Sequence, residues 1–275
     1  MPTIPSQPAP GPQPEPHRAR PVAESFGADP ERYNRTRPRY PQALVDRIIA
    51  SSPGLTVLDV GIGTGVSARP FQAAGCQVLG VEVDARMAEF ASQHGFDVEV
   101  AKFEDWDPAG RMFDAIIAGM TWHWVDPVAG AAKAAELLRP GGRLAIFWNV
   151  QQPPPELAQA FAEVYRRVLS DTPFVGDTRD PLEAYARFFT KTADGIREAD
   201  AFSEPEQWRL DWEQFYSRAE WLDVVPTFGG HSLFPPEKLD ELLTGIGNAI
   251  DASGDGFTMR YAAVAVTTSR RRDSA

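Results

Sequence analysis

Cysteine is nearly missing from this chain of 275 residues: Cys76 stands alone, so an intramolecular disulfide and a metal site built from thiolates are both excluded. Histidine is scarce too, and none of His17, His94, His123 and His231 has a partner at metal-ligand spacing, so no metal is expected. No apolar run reaches membrane-spanning length, and the N-terminus lacks a secretory core, which makes a cytoplasmic protein the expectation. Positive charge is in deficit, with 27 Lys and Arg against 38 Asp and Glu for a net charge of −11. Such a surface repels phosphate backbones and anionic lipid, so neither nucleic acid nor a membrane is an expected partner. A G-x-S-x-G elbow is also absent, which removes the usual serine hydrolase arrangement.

Proline and small polar residues fill positions 1–22, a composition that buries too little apolar area to order itself, so a disordered tail is expected there. A second short tail is expected over 269–275, where Arg270, Arg271 and Arg272 cluster. Between them, 23–268 reads as one domain. Strand-like runs at 55–60, 77–82, 97–101, 113–118 and 143–148 alternate with amphipathic helical stretches, the pattern of a parallel sheet covered on both faces. Helix starts are marked by Pro41, Asp84 and Asp126-Pro127, and a stop by Pro140-Gly141-Gly142. Past Asn149 the pieces become longer and more helical, so 150–225 reads as an appended, partly helical lobe. It contains a candidate capping box, Ser217 with Glu220. The stretch 257–267 reads as a last strand.

The strongest local signal is Val57-Leu58-Asp59-Val60-Gly61-Ile62-Gly63-Thr64-Gly65, a buried strand entering a loop with glycine at every second position. Without Cβ atoms the loop can turn sharply and admit a ligand to the main chain, and the amides at the next helix start offer donors. Asp59 can orient the loop or accept from an ammonium group. The following strand ends at Glu82, about 20 residues on, where a carboxylate can accept from both hydroxyls of a ribose. Loop and acid together mark a nucleoside site. A nicotinamide oxidoreductase uses the same parts but spaces its glycines G-x-G-x-x-G, and here Val66 occupies the last position. A nucleoside-binding module without catalysis is a further alternative.

These residues resemble the first motif of class I S-adenosylmethionine-dependent methyltransferases. Val78 to Glu82 is similar to their second-strand motif, and Leu137 to Leu144 to the turn that feeds their fifth strand. The resemblance implies an α/β, Rossmann-like, seven-stranded and mostly parallel sheet whose last strand is antiparallel, with S-adenosylmethionine across the carboxyl ends of the first strands. It implies that Gly61, Gly63 and Gly65 pass under the methionine part, that Asp59 supports that end and that Glu82 holds the ribose. Phe103 is placed to offer a backbone donor to the adenine, although Lys102 stands where many relatives carry an acid. The segment Tyr33 to Pro41 resembles the type-11-like branch that includes trans-aconitate methyltransferase relatives, which implies Arg37 on the cofactor carboxylate and Tyr33 near the sulfonium.

After the fourth strand comes Gly119-Met120-Thr121-Trp122-His123-Trp124, at the sheet edge where open α/β folds bind ligands. Met120 is expected to border the cofactor and Trp122 and Trp124 to wall the acceptor. His123 is the candidate catalytic residue, as a base or as a hydrogen-bonding guide. Tyr216, Trp221, His231 and Phe234 are the expected material of any lid, with Tyr216 and Trp221 expected to touch substrate. The activity expected is in-line methyl transfer to a small-molecule acceptor at oxygen, nitrogen or carbon, a carboxylate among them.

Overall fold

A computed structural model describes residues 25–169 and 180–272. Seven strands form one sheet in the order β3-β2-β1-β4-β5-β7-β6. They are β1 (Thr56–Val60), β2 (Gln77–Glu82), β3 (Asp97–Val100), β4 (Phe113–Gly119), β5 (Leu138–Gln152), β6 (Glu206–Ser217) and β7 (Gly256–Ser269). β1 pairs in parallel with β2 and β4, β2 with β3, and β4 with β5. β7 inserts antiparallel beside β5 and pairs antiparallel with β6. This is the Rossmann-like, mostly parallel sheet that the motifs imply.

The middle of the sheet is buried on both faces because its strands are mostly apolar on both sides, and alternation then divides them between two cores. Ile116 and Ala118 of β4 join Leu144, Ile146 and Trp148 of β5 on one face. Helices α5 (Pro127–Leu137) and α7 (Pro181–Glu198) cover that face. Ala115 and Ile117 point the other way, to Phe147, Phe71 and Leu44, Val45 and Ile48 of α2 (Gln42–Ala50). The remaining helices before the lobe are α1 (Pro30–Thr36), α3 (Arg69–Ala73) and α4 (Ala85–Gln93). Asp84 caps α4 by accepting from Arg86 N–H, and Asp126 caps α5 by accepting from Val128 and Ala129 N–H, as the sequence signals require.

The lobe departs from the expected boundaries. Its core joins α6 (Pro155–Val168), α8 (Arg218–Val224) and α9 (Pro236–Ser253) to the outer ends of β6 and β7, so it reaches well past residue 225. The capping box forms: Ser217 Oγ accepts from Glu220 N–H and the Glu220 carboxylate accepts from Ser217 N–H. Within the region read as helical lies β6, an edge strand whose Trp208, Leu210 and Trp212 alternate with Arg209, Asp211 and Glu213. The expected C-terminal tail is likewise shortened, because β7 runs to Ser269 and Arg270 bridges Phe202, while Thr267 and Thr268 bond through their hydroxyls to Leu144 O and Ser203 O. Arg270 N–H then donates to Gly142 O and Arg271 N–H to Ala201 O. The N-terminal tail and residues 273–275 lie outside the described residues. Among the described residues no helix is long and apolar enough to cross a membrane.

Candidate functional site

A cavity of about 980 Å³ opens over the carboxyl ends of β1, β2, β4 and β5. One end is built by the glycine loop. Gly61, Gly63 and Gly65 all have positive φ, at 69°, 56° and 85°, a region that side chains rarely tolerate. Their surroundings differ. A Cβ on Gly61 would lie 2.7 Å from Thr121 and one on Gly65 2.4 Å from Phe96, so both are held by packing. At Gly63 the nearest atom would be the Met87 methyl at 3.7 Å, and Gly63 lines the cavity. Gly63 is thus the glycine whose missing side chain leaves room for a ligand.

Glu82 closes the loop against β2. Its carboxylate accepts from Gly63 N–H at 2.8 Å, Val83 N–H at 2.9 Å and Asp84 N–H at 3.0 Å, while facing the cavity. Burial raises its pKa against the pull of those amides. A carboxylate has about four lone-pair sites, so one remains for a ligand hydroxyl. Asp59 sits behind the loop, fully buried and off the cavity wall. It reaches the cavity through Ser67, whose hydroxyl donates to it at 2.7 Å, and its other oxygen is buried without a partner. Burial, with the Glu82 charge adding to it and the Ser67 bond opposing, raises the Asp59 carboxyl to about 8. The neutral form therefore stabilises the fold fully at acid pH, and that contribution is lost as pH rises through about 8. Asp59→Asn should melt increasingly above the wild type between pH 5 and 8, by several degrees, since 1 kcal/mol moves a domain of this size by roughly 2–4 °C. Parallel thermal melts across that range test this, and a constant gap would contradict the assigned burial.

The third strand leads to Lys102 and Phe103. Lys102 pairs with Glu104 at 3.7 Å, and Phe103 packs on Trp122 with ring centroids 6.0 Å apart. Both Lys102 and Phe103 line the cavity. At the end of β4, Met120 adopts φ of 60°, a strained value for a side chain, and its sulfur accepts from Asn149 N–H. Trp124 faces the cavity and meets Phe26 edge-on. Trp122 does not: it is a core residue beneath Phe103.

The other end of the cavity is aromatic and carries one guanidinium. Arg37 lies 4.6 Å from the Tyr33 ring centre, 5.4 Å from Phe228 and 5.7 Å from Phe26. It donates to Thr227 O, and its Nε is buried without a partner. Of the acids on the cavity wall, Glu82 ends β2, while Asp84, Glu104 and Asp105 follow β2 and β3. His123 is half-buried and lines this cavity. Burial, with the Arg187 charge assisting, lowers its imidazole to about 4, so it is neutral at pH 7. His231, also on the wall, is lowered to about 4 by burial and hydrogen-bonds Tyr165 at 2.9 Å. A roof joins distant parts of the chain here. Ser25 accepts from Gly230 N–H, Ser232 donates to Ser25 O, and Arg32 and Arg35 both pair with Asp223.

Tyr216 and Trp221 lie elsewhere, in the lobe core. Tyr216 bonds Tyr261 hydroxyl to hydroxyl at 2.7 Å, and Trp221 stacks on Phe161 and meets Phe257 edge-on. Their large apolar area is spent on holding the lobe together. Trp221→Ala should cost about 3–5 kcal/mol in denaturant unfolding while leaving cofactor affinity within a few-fold. Phe234 packs in the same core, while His231 alone of the expected lid residues reaches the wall. Sequence reasoning overlooked Tyr40, Asn149, Gln151 and Tyr185, all on the wall. Asn149 and Gln151 end β5, where the strand-end rule would have found them; Tyr185 sits on α7 with no local signal.

The sheet order, the loop after β1 and the acid after β2 define a Rossmann-like nucleoside-binding enzyme fold. Comparison with known proteins specifies it. Residues 58–146 match the family model described as a methyltransferase domain, from β1 into β5. An uncharacterized methyltransferase of Mycobacterium tuberculosis is 24% identical over 208 residues, covering 75% of this chain and 77% of that protein. Malonyl-[acyl-carrier protein] O-methyltransferase of Enterobacter lignolyticus is 33% identical over 149 residues, 52% of this chain and 59% of that protein. The solved structure of a protein named as a type II methyltransferase from Anaeromyxobacter dehalogenans superposes with a TM-score of 0.61 at 21% identity, over 86% of this chain and 99% of that one. The chain carries a class I methyltransferase domain and is an S-adenosylmethionine-dependent methyltransferase.

Proposed function

We propose that the protein methylates a small acceptor that carries a carboxylate, with the acceptor held at the Arg37 end of the cavity. Arg37 carries the proposal: a buried guanidinium nitrogen without a partner, in a wall of aromatic rings, is satisfied by an anion. Of the acids on the wall, Glu82 is engaged by three backbone amides, Asp84 by Arg86 and Glu104 by Lys102. The resemblance to the trans-aconitate branch, and the likeness to a malonyl-[acyl-carrier protein] O-methyltransferase, support the same acceptor chemistry.

The residues fit the methyl donor in two respects: Gly63 leaves a cradle that a Cβ would fill, and Glu82 keeps an acceptor site free beside it. S-adenosylmethionine, when bound, supplies a methyl group on a positively charged sulfur. Gly61 and Gly63 would lie under its amino-acid part, with Asp59 and Ser67 behind them; Glu82 would hold the ribose, and Phe103 and Met120 would border the remainder. Trp124, Phe26 and Phe228 exclude water from the acceptor, and Arg37 orients it, so alignment supplies most of the acceleration. A cavity of about 980 Å³ lies at the upper end of ligand pockets, roughly 300–1,000 Å³, and suits donor and small acceptor together.

Incubating the protein with labelled donor and a panel of carboxylic, phenolic and amine metabolites tests this. Methyl esters are expected, and exclusive methylation of amines would overturn the acceptor class. For a carboxylate that is turned over, Arg37→Leu should raise KM at least about tenfold, the loss of one charge-assisted hydrogen bond, with the affinity for S-adenosylhomocysteine kept. A loss of that affinity instead would move Arg37 to the cofactor carboxylate.

A further inference from the structure

The mechanism leaves open what His123 does, and its answer lies in a buried neighbour. Trp148 is fully buried in β5, and its indole N–H, which can only donate, finds its acceptor in His123 Nδ1 at 3.4 Å. An indole N–H buried without an acceptor would cost about 1–3 kcal/mol. Nδ1 must then present its lone pair, and in a neutral imidazole the single proton moves to Nε2. Among the described residues Nε2 has no hydrogen-bond partner, and His123 faces the cavity. The ring also packs at a tilt against Trp124, with centroids 4.9 Å apart, and against Phe188 at 5.1 Å, contacts that restrict its rotation.

We propose that Trp148 is a positioning residue that fixes His123 as the Nε2–H tautomer, so that His123 donates a hydrogen bond to the acceptor and takes no proton from it. This rests on the methyl-transfer reading above and sharpens it. A site whose histidine only donates suits an acceptor that is already deprotonated at neutral pH and presents an oxygen with spare lone pairs. A carboxylate meets both conditions. One carboxylate oxygen forms its bond to carbon while the carbon–sulfur bond breaks, the electron pair stays on sulfur, and no proton changes hands. His123 binds the other oxygen or a second carboxylate of the acceptor, and phenols or protonated amines find no base.

Long-range nitrogen–proton correlation spectra of uniformly 15N-labelled protein with bound S-adenosylhomocysteine read the tautomer directly. His123 is assigned by the signals that vanish in His123→Gln. The expected spectrum at pH 7 shows a protonated Nε2 and an unprotonated Nδ1. A proton on Nδ1, or an averaged mixture, overturns the proposal. In Trp148→Phe the tautomer should relax to a mixture, whereas a purely packing role for Trp148 would leave it as in the wild type and also overturn the proposal. Should that variant not fold, the wild-type spectrum decides alone. Calorimetry with S-adenosylhomocysteine on the same sample separates the two levels: absent binding sinks the methyl-transfer site, while binding with the wrong tautomer sinks only the role of His123.

Discussion

Gly63→Val is expected to abolish measurable binding of S-adenosylmethionine and S-adenosylhomocysteine in a protein that still folds. The new side chain has the Met87 methyl as its only neighbour within reach of Cβ, so it projects into the cavity instead of into the core. The φ of 56° costs about 1–2 kcal/mol for any L-residue, which lowers the melting temperature without unfolding a domain of ordinary stability. Filling the cradle should weaken binding by at least a hundredfold, about 2.7 kcal/mol, by calorimetry. Gly61→Val and Gly65→Val make the comparison, because their Cβ atoms strike Thr121 and Phe96, and they should lose the fold itself. Unchanged binding by Gly63→Val would place the cofactor elsewhere.

Glu82→Gln should be nearly as severe despite its identical shape. Three backbone N–H groups approach the carboxylate, Val83 and Asp84 at one oxygen and Gly63 at the other. A carboxamide keeps one accepting oxygen, so its NH2 must face either the Gly63 N–H or the other pair. Donor against donor leaves at least one buried amide unpaired, at about 1–3 kcal/mol. The loop that Glu82 holds then loosens, and the remaining acceptor site for a ribose hydroxyl is lost with it. Both the unfolding midpoint and the cofactor affinity should fall, the affinity by about tenfold or more. A variant that loses stability while keeping wild-type affinity would show that Glu82 serves the loop alone.

Much of the sheet was legible because its signals are local. β1, β2 and β4 are short, mostly apolar runs, and their helices carry caps at Asp84 and Asp126 that satisfy orphan amides of the first turn. β6 went unread for a physical reason. As an edge strand it needs only one apolar face, and Glu206, Gln207, Asp211 and Glu213 dilute its strand propensity, so the alternation of Trp208, Leu210 and Trp212 was outweighed by the helices around it. The glycine loop and Glu82 were readable for the same local reason. The acceptor end was not, since Arg37, Tyr185, Asn149 and His231 come from four separate segments. Tyr216 and Trp221 show the converse error: an aromatic residue signals burial strongly and says nothing of which surface it buries.

The roof has a kinetic meaning. Its ties run between residues 188 to 191 positions apart, from Arg32 and Arg35 to Asp223, and those ion pairs are partly exposed. Contacts of that span and exposure are individually weak and sensitive to salt. Any opening of the roof parts these pairs, and because salt screens them, ionic strength lowers the barrier to that opening.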